Sequence, residues 1–256
     1  MRLMCSKTVA SAGCLLAALA GPAAAREPDF EYEDLWAVTL GASLSRATGN
    51  TDATSVALQG EGVRATEESK WTVRGNGLYA KTNGNRTAEQ ARLGTRYDWN
   101  LSPWWFVFGG LDLERDEVAL LDLRHTTSVG TGYRLVELHN VGWEVVVGAG
   151  YVRDHYAEPR LVDDRLRDAY GYPTAVLGQE STHQFTATTS GKQRLTVLAN
   201  LKDRGEYRAQ WDAAVSVAMT RRWSLTTGLA WRYNSDPGPA LKRSDTLLTT
   251  GVSVKY

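Results

Sequence analysis

The sequence predicts an all-β fold: a closed antiparallel transmembrane β-barrel of about 12 strands with a polar lumen. Three observations carry this. Segments of about ten residues alternate apolar with polar side chains along most of the chain, the period of two that sends alternate residues to opposite faces of a sheet. One of these faces is nearly free of charge, and the other holds the ions with glycine, serine and threonine. That is the inverse of a small soluble barrel, whose interior is apolar. Beyond residue 25 there is no run of about 18 apolar residues, so any membrane crossing must be made by strands. A mean hydropathy of −0.34 is compatible with this, because only alternate residues of a barrel strand meet lipid.

Residues 1–25 read as a secretory signal peptide. Arg2 and Lys7 form its positive region, Val9 to Leu19 its apolar region, and Ala23-Ala24-Ala25 the small residues before cleavage. A lipid-attachment reading around Cys14 is poor, since Ser11 stands where a leucine-like residue is needed. Both cysteines, Cys5 and Cys14, fall inside this segment, so the exported chain has no disulfide, thiolate nucleophile or cysteine metal site. Removing it leaves 27 basic and 29 acidic residues, a formal charge of −2 that offers no electrostatic footprint for nucleic acid. Residues 26–35, REPDFEYEDL, lack periodicity and read as a periplasmic lead-in to a barrel over 36–256.

The strands follow in order. The first, from Trp36, sets Val38, Leu40, Ala42 and Leu44 against Thr39, Gly41 and Ser43, and ATGNTD turns the chain at 47–52. The second, 54–63, sends Val56 and Leu58 out and Gln59 and Glu61 in. The third, 71–81, opposes Trp71, Val73 and Tyr79 to Arg74 and Asn76, before the turn Asn83-Gly84-Asn85. The fourth, 89–99, has Leu93, Tyr97 and Trp99 outside and Arg92, Arg96 and Asp98 inside. The fifth, 104–114, places Asp112 and Glu114 inside, but WWFVF at its start is apolar on both faces and leaves the parity there open.

A loop at 115–125 precedes the sixth strand, 126–137, and the seventh, 143–152, alternates Trp143, Val145 and Val147 with Glu144 and Gly148. The longest interruption, 153–173, reads as an external loop with charges clustered as DDRLRD. The eighth strand, 174–186, is the least regular, and a turn at 188–191 follows it. The ninth, 192–201, carries Arg194 inward. The tenth, 206–219, sets Tyr207, Trp211 and Val215 against Arg208 and Asp212. The eleventh, 223–233, opposes Trp223, Leu225 and Trp231 to Arg232, and the twelfth is 245–256.

In that final strand Leu248, Val252, Val254 and Tyr256 share one face, and an apolar face ending in an aromatic residue resembles the C-terminal signal that the barrel-assembly machinery reads. Closure removes the two sheet edges, which would leave backbone groups unpaired in lipid. An even strand count allows both ends on one side, with short turns in the periplasm and the loops near residues 50, 84, 120, 163, 203 and 239 outside.

The segments GNTDATS, ERDEVALLDLR, GTGYR, KQRLTVLANL and SDPGPALKRSDTLLTTGVSVKY, in this order, resemble the family of YdiY-like salt-induced outer-membrane proteins, domain of unknown function 481. The resemblance covers Trp36 to Tyr256. It implies an outer-membrane barrel and a part in salt adaptation, and it brings no established activity.

The chief chemical feature is the inward set of Arg74, Arg92, Arg96, Arg134, Arg194, Arg208, Arg232 and Lys255, facing Glu61, Asp98, Asp112, Glu114, Glu144 and Asp212. Buried charge must be paired or hydrated. These groups therefore either brace the wall as ion pairs or line a water-filled constriction whose arginines favour anions. Neither a metal nor a cofactor is expected. The acidic groups Asp163-Asp164 and Asp116, Glu117 and Asp122 lack EF-hand spacing and read as solvated loop charge. No serine–histidine motif is recognisable, and the adjacent Asp154 and His155 should point to opposite faces, so no enzyme is expected. The expected function is a small diffusion pore or envelope protein for osmotic or salt adaptation. The alternatives are a non-conducting structural barrel and a surface hydrolase. Expected partners are outer-membrane lipid and lipopolysaccharide, the assembly machinery and periplasmic chaperones, and small ions or solutes, with no nucleic acid.

Overall fold

The structure, a computed structural model, describes residues 36–47, 52–162, 165–203, 205–237 and 242–255. The signal segment, the lead-in, Asp163-Asp164 and Tyr256 lie outside the described residues. Twelve strands form the fold: β1 (Ala37–Ala47), β2 (Ala53–Ala65), β3 (Ser69–Thr82), β4 (Asn85–Asn100), β5 (Trp105–Asp116), β6 (Leu121–Leu138), β7 (Val141–Val162), β8 (Arg165–Gln184), β9 (Thr189–Asn200), β10 (Tyr207–Ala218), β11 (Trp223–Asn234) and β12 (Ser244–Lys255). Each pairs antiparallel with its neighbours in sequence, and β1 pairs with β12 to close the barrel. This seam is the shortest ladder, joining Thr39–Ala42 to Val252–Lys255. The start of β1 and the end of β12 share one end of the barrel, called here the terminal end, with the opposite rim as the loop end.

Alternation decides what each face meets. Outward Leu44 and Leu248 are 73% and 69% exposed, whereas inward Asp98 is 1% exposed. An exposed apolar wall around buried ions suits lipid outside and not water. Exposed tryptophans ring the terminal end at Trp36, Trp71, Trp99, Trp105, Trp143 and Trp223. Towards the loop end stand Tyr151 and the stacked Tyr207, Tyr233 and Trp231. From Trp143 to Tyr151 the tilted strand rises by about 20 Å, close to the height of an outer-membrane apolar band.

Three sequence expectations are corrected. The interruption at 153–173 is strand: β7 and β8 form a hairpin that continues well past Tyr151, with Val162 paired to Arg165. Beyond the apolar band both faces of a strand can be polar, so alternation fades while the ladder continues. For the same reason the loop at 115–125 shrinks to residues 117–120, and β6 begins at Leu121. The turn placed at 188–191 falls at residues 185–188, held by the bond from the Phe185 N–H to the Thr189 carbonyl, and β9 starts at Thr189. The turn at Asn83-Gly84 stands as read, with φ of 51° and 81°, the left-handed pair that a two-residue hairpin requires.

The open parity of β5 is resolved by packing. Trp105 and Val107 face out, while Phe106 and Phe108 face in and are almost wholly buried. Their ladder partners on β6 are Gly132 and Gly130. A Cβ on Gly132 would collide with the Phe106 ring, and one on Gly130 would come within 2.7 Å of Phe108. Glycine is what lets these rings lie flat against the wall.

Candidate functional site

The candidate site is the lumen. Its central feature is a set of ion pairs that cross it. Glu61 on β2 accepts from Lys192 at 2.5 Å and lies 3.5 Å from Arg194, both on β9 and nearly opposite in the ring of strands. Arg74 on β3 reaches Glu61 at 3.2 Å and Glu180 on β8 at 3.9 Å. Glu180 is held by Arg194 at 2.6 Å and Lys192 at 3.4 Å. Lys70 on β3 donates to Glu144 on β7 at 3.2 Å. These contacts form a chord that divides the lumen into two lobes.

The lobe enclosed by β3 to β8 is filled. Arg96 donates to Asp98 at 2.6 Å and Glu144 at 3.2 Å, and its guanidinium lies 5.3 and 5.0 Å from the Phe106 and Phe108 ring centres. Towards the loop end, Arg92 donates to Glu114 at 2.8 Å, and Arg124 makes a two-pronged bond to Asp154 at 2.6 and 2.8 Å. Val152, Tyr170 and Tyr172 pack beside this group, and Arg208 lies over the Tyr172 ring. Apart from Arg208, whose Nη2 has no hydrogen-bond partner among the described residues, these buried charges are paired and avoid the large cost of isolated ions.

The other lobe, from β9 through β12 to β2, is lined by small groups such as Gly41, Ala57, Ala214, Gly228 and Thr249. Hydroxyls run across its wall, with Ser216 to Thr226 at 2.9 Å and Thr226 to Ser253 at 2.8 Å. A cavity of about 790 Å³ extends from the terminal end, past Thr66 and His139, along this wall and up to the chord. It is wide enough for many waters and bounded by their natural partners.

Of the fourteen inward candidates, all but Lys255, whose side chain lies outside the described residues, point inward, but they do not form one ring. Arg74 and Arg194 belong to the chord; Arg96, Asp98 and Glu144 to the filled lobe's lower layer; Arg92, Glu114 and Arg208 to its upper layer. Asp112 leans over Gly94. Arg134 latches the turn at the terminal end, donating to the Pro103 carbonyl at 2.9 Å and the Asn100 side chain at 2.7 Å. Arg232 pairs with Asp212 at 2.6 Å. Of the C-terminal candidates, Leu248, Val252 and Val254 face outward on β12 against Leu229, Leu225 and Trp223.

Sequence reading missed Arg124 and Asp154, which it had placed at loop edges, and also Glu180, Lys70 and Lys192. Counting in twos finds Lys192 from Arg194 and Asp154 from Glu144. Asp154 faces inward and His155 outward, as adjacent strand residues must. Among the described residues no group of three or more metal-ligating side chains occurs. Outside the wall, between β9 and β10, burial raises the Glu206 carboxyl above its ordinary value, partly offset by a 2.8 Å bond from Asn200.

A family model described as a protein of unknown function, DUF481, matches residues 38–256. No curated protein matches the chain. Solved structures similar to it include the NanC porin, at 12% identity over 86% of this chain and 97% of that one with a TM-score of 0.48. The translocator domain of the autotransporter NalP from Neisseria meningitidis shares 8% identity over 89% and 90%, with a TM-score of 0.46. The KdgM porin in complex with disordered oligogalacturonate shares 8% identity over 87% and 99%, with a TM-score of 0.43.

Proposed function

Because this chain belongs to the DUF481 family, whose function is unknown, its role must come from its own geometry, and we propose a narrow diffusion pore of the Gram-negative outer membrane. The observation that carries the proposal is the division of the lumen. One lobe is sealed by aromatic rings and ion pairs, while the other has small, hydroxyl-bearing walls around a cavity of about 790 Å³. Water and small hydrophilic solutes would pass along the small-residue lobe, with the chord of Glu61, Arg74, Glu180, Lys192 and Arg194 as its charged edge. Both signs of charge stand on that edge, so selectivity between anions and cations should be modest.

The test is single-channel conductance of the refolded barrel in a planar bilayer across a salt gradient. Discrete steps are expected, smaller in Thr249→Trp, which fills the open lobe, and larger in Glu61→Gln, which loosens the chord. Silence from a protein shown to be folded would overturn the pore. It would favour the second reading, a non-conducting barrel that the same chord braces across its width. We extend the pore reading to salt adaptation, which the family resemblance implies. A deletion strain should then lose growth selectively at raised salt, and equal growth at all salt concentrations would remove that role.

A further inference from the structure

We infer that the outer wall of β6 and β7, just beyond the apolar band, binds the phosphate of a phosphorylated glycolipid of the outer leaflet. Arg153 on β7 is exposed, faces outward and forms no ion pair among the described residues. Its direct ladder partner is His125 on β6, and the His155 ring stands 5.5 Å from that of His125. The tyrosine hydroxyl two positions below completes the group. Tyr151 leans over Gly171, which is the partner of Arg153 on β8, and any side chain at Gly171 would collide with it.

Among the described residues, no direct ladder neighbour of this patch is acidic. Its outward neighbours are Leu113 on β5, Leu123 on β6 and Ala169 on β8. Arg115 stands beyond Leu123 with its charge already met by Glu117 at 2.5 Å and Asp122 at 3.8 Å. The Arg153 guanidinium and the ring N–H groups of His125 and His155 are hydrogen-bond donors on one face, and an anion among them accepts from all three, with the bonds from Arg153 charge-assisted.

Position selects the occupant. Below the patch, Tyr151, Val147, Val129 and Leu111 form a largely apolar exposed wall, with Thr127 between Leu111 and Tyr151. Above it the β7–β8 hairpin continues past the membrane. A phosphate at this height with acyl chains below it meets both surfaces, whereas free inorganic phosphate would meet only the upper one. This inference rests on the transmembrane reading and is independent of conduction.

The experiment is native mass spectrometry of the detergent-refolded barrel exchanged with a bis-phosphorylated glycolipid or with its phosphate-free counterpart. The wild type should keep the phosphorylated lipid and shed the other. Arg153→Gln/His155→Gln should keep about tenfold less, and Arg115→Gln should match the wild type. Equal retention of both lipids by the wild type, or of the phosphorylated lipid by wild type and double variant, would overturn the site. Preferential retention of phosphatidylglycerol would overturn the choice of glycolipid. Heat-modifiable migration after insertion into vesicles reports the barrel separately, so failure of the membrane reading is distinguishable from failure of this one. If the double variant does not fold, Arg153→Gln and the two-lipid comparison on the wild type still decide.

Discussion

Glu61 is one of two carboxylates, with Glu180, that hold the chord together, and it meets Arg74, Lys192 and Arg194. Its removal leaves Glu180 as the single carboxylate facing three cations across the barrel. Glu61→Ala should therefore cost about 2 kcal/mol, below the range for a fully buried pair because Glu61 is part-exposed. Urea unfolding of the refolded barrel measures this. Glu206 behaves in the opposite sense. Its raised folded value means that ionisation opposes the folded loop, so stability falls as the pH rises through the ordinary glutamate value of 4.5 towards the folded one. Glu206→Gln keeps an acceptor for Asn200. At pH 7 it should slow hydrogen exchange of the Asn200 amide by about twofold, with no difference below the ordinary value. At this scale the sequence was legible in direction but not in partnership. Arg96 and Glu144 read as inward charges, yet nothing in their spacing tells that they meet, because the contact depends on how β4 and β7 curve across the lumen.

The strand β5 shows what alternation cannot decide. With apolar residues at every position from Trp104 to Phe108, either parity satisfies the pattern, and the choice falls to glycines on a different strand. Gly132→Val should displace the Phe106 ring from its seat and cost about 1–3 kcal/mol, seen as a lower unfolding midpoint with the barrel still closed. The β7–β8 hairpin was illegible for another reason. Its described outer residues 157–159, 166 and 168 are exposed and impose no period, and its backbone pairing leaves no trace in side-chain chemistry. Contacts at its base hold it: Tyr170 meets Asp203, Lys202 lies 4.4 Å from the Tyr170 ring centre, and the Leu201 N–H donates to the Pro173 carbonyl at 3.0 Å. Replacing residues 157–168 by a two-residue turn should leave heat-modifiable folding intact, since the ladder from Trp143 to His155 remains.

For the whole molecule, the even strand count, the direction of most faces and the barrel itself were readable from periodicity, whereas the two-lobed lumen was not. A period of two says which residues look inward, and it is silent on which of them reach far enough to touch the opposite wall. The seam between β1 and β12 has a further consequence, and it concerns time. Every other ladder joins segments adjacent in sequence and can zip from its own turn, but the pairing of Thr39–Ala42 with Val252–Lys255 must wait for the two ends of the barrel to find each other. The shortest ladder is also the one with the largest loop to close. The cylinder therefore has a last stitch, and its rate sets how long an open, edge-exposed sheet persists before the barrel closes.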